Sequence, residues 1–131
     1  MTNNFKFSQR SENNLKGVKP QLVGVVRRAL ELSSMDFSVI EGLRSQERQR
    51  ELVAAKKSNT MNSKHLTGDA VDLMPVGADW DQQTDWLPVL NAVKQAADEM
   101  GTKLRFGYTW TQDPDDKPAP FLDAPHVELA G

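Results

Sequence analysis

Cysteine is missing from the 131-residue chain, which excludes both a disulfide framework and a thiolate metal site. Any metal must then be held by histidine and carboxylate, and histidine is itself scarce: His65 and His126 are the only two. No run of about 18 apolar residues occurs, so no segment is expected to span a membrane. Met1 to Arg10 is polar and has no apolar h-region, so no secretory signal is expected. Internal repeats, linkers and low-complexity stretches are absent as well. A chain of this length is expected to form one domain, residues 1–131, with a single modest core.

The net charge of −2 hides an uneven distribution. Residues 1–65 carry 12 Lys/Arg against 6 Asp/Glu, a net of +6, whereas residues 66–131 carry 4 against 12, a net of −8. Mutual neutralisation of the two halves across the fold is the plain account. The alternative is a basic N-terminal surface facing an anionic polymer, with carboxylates gathered round a cation. No nucleic-acid partner is expected.

Taken in order, Ser11 is placed to cap a short helix through Val18. Pro20 suits the first turn of a second helix through about Leu32. There Leu22, Val25, Val26, Ala29 and Leu30 recur at helical spacing and read as core packing. Phe37 to Arg44 reads as a strand, in which Gly42 signals a bulge or a close backbone approach. Ser45 caps a helix over about Gln46 to Lys57. Arg44 therefore stands at a strand-to-helix junction, either presenting a functional side chain or making a surface salt bridge. Ala70 to Val76 should be a strand ending near Pro75. A helix from Thr84 or Asp85 to about Met100 carries Trp86, Val89, Leu90, Val93, Ala96, Ala97 and Met100 on one face, with Pro88 in its first turn and Gly101 at C′. Leu104 to Trp110 and His126 to Leu129 complete the strands. This order predicts an α+β domain, with helices packed on one side of a small, largely antiparallel sheet.

The chemistry gathers in Ser63-Lys64-His65-Leu66-Thr67-Gly68-Asp69-Ala70-Val71-Asp72-Leu73. A histidine and a carboxylate lie seven residues apart across a glycine turn, and the second histidine follows in Asp123-Ala124-Pro125-His126-Val127-Glu128-Leu129. Two imidazoles and one carboxylate leave zinc an open position, where bound water can lose its proton near neutral pH. Such a site also needs a carboxylate to move the proton. The His-Glu-x-x-His helix is absent, and Asp123 and Glu128 are the candidates. Glu128 shares a strand face with His126, whereas Asp123 precedes Pro125 in a turn that could fold it over the metal. Periodicity does not choose between them. Each histidine also has a plain structural reading, and spacing alone does not settle it. Asp69 reads as a loop residue or as a support for His65.

Ser63-x-His65-x-x-Gly68-x-Ala70-x-Asp72 with Asp123-x-x-His126 resembles the zinc peptidases that cut D-amino-acid-containing peptides of bacterial cell walls, a group spanning D-alanyl-D-alanine peptidases and phage endolysins. The similarity is greatest to the single-domain endolysins with L-alanyl-D-glutamate endopeptidase activity. It extends to Val18-Lys19-Pro20, Arg27 to Leu32, Gly42-Leu43-Arg44, Leu104 to Gly107 and His126 to Leu129, and so covers nearly the whole chain. The resemblance implies a hedgehog or D,D-peptidase type of fold with one zinc at the sheet, bound by His65, Asp72 and His126. It implies Asp123 as the base that activates the zinc-bound water, and Arg44 as the group that steadies the substrate carbonyl oxygen or a substrate carboxylate. Ser63 would contact substrate or support the metal shell. Relatives of the carboxypeptidase branch carry Glu and an aromatic residue before the second histidine; Asp123-Ala124-Pro125 favours the endopeptidase branch instead.

The expected substrate and partner is thus bacterial peptidoglycan. The protein is expected to be a monomer that accumulates in the host cytoplasm and acts on the wall in the periplasm after release. Two other readings stand beside this one: a D-alanyl-D-alanine carboxypeptidase on the same site, and a noncatalytic, zinc-stabilised binding module. Asp113, Asp115 and Asp116 either hold a hard cation such as calcium or, with Pro114, Pro118 and Pro120, form a plain exposed loop.

Overall fold

The computed structural model describes residues 5–56, 63–76, 86–117 and 124–130. Helix α1 (Gln9–Leu15) begins at an N-cap Ser8, whose hydroxyl accepts from Ser11 N–H. The expected cap, Ser11, lies inside the helix. It is buried, and its hydroxyl accepts the Val39 N–H at 3.0 Å. A tertiary bond has taken the group that local pattern assigned to capping. Helix α2 (Pro20–Leu32) has both expected ends, with proline in its first turn.

Strand β1 (Phe37–Glu41) stops short of Arg44. Helix α3 (Gln46–Ala54) starts under a Ser45 cap and ends before Lys56, which has φ +59°; Lys57 lies outside the described residues. A 3-10 turn (Lys64–Thr67) leads into β2 (Ala70–Pro75). Helix α4 (Leu87–Met100) closes on Gly101 at φ +68°, a left-handed cap suited to glycine. The expected start at Thr84 or Asp85 also lies outside the described residues. Strand β3 (Leu104–Phe106) is shorter than expected. The chain turns back after Phe106, whose carbonyl accepts Thr109 N–H at 3.2 Å and Trp110 N–H at 2.6 Å. Strand β4 (His126–Leu129) has the expected bounds.

The four strands among the described residues form one sheet in the order β1-β2-β4-β3, every pairing antiparallel. Period two divides each strand between the faces. Phe37, Val39, Val71, Leu73, Leu104, Phe106, Val127 and Leu129 join Leu22, Val25, Val26, Val89, Leu90 and Val93 of the two long helices in a single core. The helices therefore cover one side, as an α+β domain of this pattern requires. Helix α1 docks on edge strand β1, where Asn14 Nδ2 donates to Val39 O at 2.8 Å. Pairs such as Arg28–Glu99 (3.1 Å) and Lys64–Glu128 (3.5 Å) join the basic half to the acidic half. No helix among the described residues is long and apolar enough to cross a membrane.

Candidate metal centre

The sheet face opposite the helices carries the polar residues. Asp72 of β2 lies directly across from His126 of β4, and Ala70 across from Glu128. Glu128 in turn faces Arg105 of β3. His65 comes from the 3-10 turn, where Ser63 Oγ accepts the His65 N–H at 3.2 Å. That turn closes on Gly68 at φ +76°, packed so tightly on the Gly17 carbonyl that a Cβ would not fit. Gly68 thus answers two demands, a left-handed backbone and a bare Cα.

His65 Nε2 lies 3.2 Å from Asp72 Oδ1, and His126 Nδ1 lies 3.4 Å from the same oxygen. One ligand atom from each of the three residues falls within 4.8 Å of the other two. The remaining ring nitrogens are engaged: His65 Nδ1 donates to the Gly42 carbonyl at 2.8 Å, and His126 Nε2 to Glu128 Oε1 at 2.8 Å. Because those oxygens only accept, the far nitrogen of each ring carries a proton; the near nitrogen can then either donate to Asp72 when protonated or offer its lone pair to a metal when not. A ring fixed in this way by a carbonyl or carboxylate is the usual setting of a metal-binding histidine. The donor set suits zinc: two imidazole nitrogens and one carboxylate oxygen.

Burial alone would raise the Asp72 pKa, but hydrogen bonds from His126 and His65, with their charges, hold it well below the ordinary carboxylate range. Glu128 follows the same logic: burial pushes it up, and the His126 bond, with the charges of His126, Lys64 and Arg105, brings it lower. Glu128 is therefore tied to the Nε2 side of the His126 ring. Asp123 lies outside the described residues.

The Arg44 side chain is only 9% exposed. Its Nε and Nη2 donate to the two oxygens of Glu41 at 2.7 and 2.9 Å, and Nη1 donates to Gln49 Oε1 at 2.8 Å. Nη2 stands 3.9 Å from Asp72 Oδ2, and Nη1 is 3.5 Å from Ser63 Oγ. Arg44 is thus neither on the surface nor remote from Asp72. Arg44, Ser63, Lys64, Thr67 and Asp69 line an open groove beside the centre.

On the other flank Trp110 adopts φ +57°, a left-handed conformation costly for a bulky residue. Its ring is 5.5 Å from that of His126, and the Arg105 guanidinium lies 5.1 Å above it. Sequence reasoning did not single out Glu41, Gln49 or Trp110, and no local pattern marks them. In the acidic loop the Asp113 carboxylate accepts Asp115 N–H at 2.9 Å and the Asp116 carboxylate accepts the Thr111 hydroxyl at 2.7 Å. Among the described residues these aspartates do not form a second metal-binding group.

Known proteins share this architecture. The sequence profile of the family described as phage L-alanyl-D-glutamate peptidase matches residues 3–130. The L-alanyl-D-glutamate peptidase of Escherichia phage T5 is 40% identical over 134 residues, covering 95% of this chain and 98% of its own. The crystal structure of the Serratia marcescens L-Ala D-Glu endopeptidase ChiX superposes with a TM-score of 0.80 at 40% identity, over 97% of this chain and 92% of that one. The vancomycin-resistance D,D-dipeptidase VanXYg, solved with a D-Ala-D-Ala phosphinate analogue, gives a TM-score of 0.57 at 20% identity, over 87% and 51%. That last likeness is one of fold.

Proposed function

We propose that this chain, which belongs to the phage L-alanyl-D-glutamate peptidase family, hydrolyses the L-alanyl-D-glutamate bond of peptidoglycan stem peptides at a zinc centre held by His65, Asp72 and His126. The observation that carries the centre is the convergence of His65 Nε2, Asp72 Oδ1 and His126 Nδ1 while Gly42 and Glu128 occupy the opposite ring nitrogens. Zinc bound by this set supplies Lewis acidity toward a carbonyl oxygen and acidifies water.

The protein's own groups do the rest. Asp72, held ionised by its histidine partners, supplies the anionic ligand. Asp123 takes the proton of the attacking water and passes it to the departing D-glutamate amine. Arg44, beside Asp72, steadies the carbonyl oxygen as negative charge develops on it, or holds a substrate carboxylate. Ser63, which caps the His65 turn at the rim of the groove, contacts the peptide. On this reading the enzyme works as a monomer, accumulating in the host cytoplasm and meeting its substrate in the periplasm.

Digestion of purified Gram-negative sacculi, with the fragments identified by mass spectrometry, tests the reaction. New D-glutamate amino termini are expected; release of D-alanine alone would move the activity to the carboxypeptidase branch. No release with one zinc per chain would leave a binding module. Asp123→Ala should keep the zinc and lose hydrolysis, and full turnover in that variant would remove Asp123 as the base.

A further inference from the structure

We propose that Glu41 and Gln49 are positioning residues that hold the Arg44 guanidinium in place against the metal centre; the proposal rests on the reading of Arg44 given above. Three observations carry it.

The first lies in β1. Phe37, Ser38 and Val39 pair in step with Pro75, Met74 and Leu73, and then the register shifts so that Glu41 opposes Asp72. Ile40 is the extra residue of a bulge, a device that re-aims the side chain after it. In unbroken register Glu41 would fall opposite Val71, whose side chain is in the core. The bulge sets Glu41 on the polar face instead, where it takes two parallel bonds from Arg44. Such a fork fixes the plane of the guanidinium as well as its place.

The second lies in α3. Gln49 is the only buried residue of that helix and is fully inaccessible. Burying an amide costs free energy unless its polar atoms are paired, and the Gln49 oxygen is spent on Arg44 Nη1. The one side chain that α3 buries is thus directed to the arginine. The third is the backbone: Arg44 N–H donates to the His65 carbonyl at 2.8 Å, joining the arginine to the turn that carries a metal ligand. A surface ion pair needs none of these devices. A donor already fixed when negative charge develops costs no reorganisation during the reaction.

The test is a set of double-mutant cycles on a stem peptide, read as kcat/KM and supported by zinc content and thermal unfolding. Glu41→Gln and Gln49→Met, both close to the native shape, are expected to lower kcat/KM roughly tenfold each, the loss of one charge-assisted bond. In an Arg44→Ala background neither should cause further loss, because residues acting through one group are non-additive. Millimolar guanidinium should restore part of the rate of Arg44→Ala, and none when Glu41→Gln is added. A merely structural role would not produce that dependence. Additive losses in the Arg44→Ala background, or rescue without Glu41, would overturn the proposal. So would wild-type kcat/KM in both single variants while Arg44→Ala is crippled. Wild-type kcat/KM in Arg44→Ala itself would instead sink the reading of Arg44, and this inference with it.

Discussion

Gly42→Ala tests how the backbone holds the centre. Gly42 is not at positive φ, so glycine is needed there for space and not for conformation. A Cβ would overlap the Asn14 carbonyl oxygen and come to 2.8 Å from Val18 Cγ2. Ordinary contact is about 3.5 Å, so the seam between α1 and the end of β1 must open by roughly 1.5 Å. Overpacking of this kind costs about 1–3 kcal/mol, and a backbone neighbour leaves little room to relax. The Gly42 carbonyl also accepts the His65 Nδ1–H. Displacing it loosens the ring, and loss of such a support lowers metal affinity about 10–100-fold. Two measurements check this: thermal unfolding of the chelator-treated protein, and competitive zinc titration of the refolded protein. Both should fall. An unchanged melting temperature with unchanged zinc affinity would refute the argument, and a fall in stability alone would show that the carbonyl does not orient His65.

Glu128→Ala removes the acceptor behind His126 and should weaken zinc binding about 10–100-fold, as the same competition titration would show. Asp72 is held below its ordinary pKa in the fold. Its stabilising share is therefore complete above about pH 3.9 and is lost as pH falls through the lower folded value. Urea midpoints of the metal-free protein between pH 5 and pH 2 should accordingly fall more steeply for wild type than for Asp72→Asn, and parallel curves would contradict the assignment. Leu90→Ala, at a fully buried position of α4, should cost about 2–5 kcal/mol in denaturant unfolding while one zinc per folded chain is retained.

Much of this molecule can be read from its residues, and the exceptions have physical causes. Helix α2 has its expected ends because Pro20 and an uninterrupted apolar stripe leave little latitude. Strand β4 is equally legible, since its alternation puts Val127 and Leu129 in the core and His126 and Glu128 opposite them. The grouping of His65, Asp72 and His126 rests on the resemblance and not on spacing; a short turn and two paired strands bring the three together in the fold. Gly42 signalled a bulge or a close approach, and both occur, but the bulge sits at Ile40 and the close approach at Gly42. A register shift depends on the partner strand and leaves no mark in composition, so Glu41 was not legible. The burial of Gln49 follows from what α3 rests on, which a polar helix does not disclose. The left-handed Trp110 contradicts residue preference outright.

The strand order has a consequence in time. Strand β4 is the last of the described strands, yet it sits inside the sheet, between β2 and β3. Asp72 and His126 face one another only after more than fifty intervening residues have been looped back. Until then β3 lacks its partner strand, β2 has an open edge, and His126 stands apart from His65 and Asp72. Closing so long a loop is entropically slow, and folds dominated by such distant pairings assemble late and together. The three side chains of the candidate centre therefore come together only when β4 docks between β2 and β3.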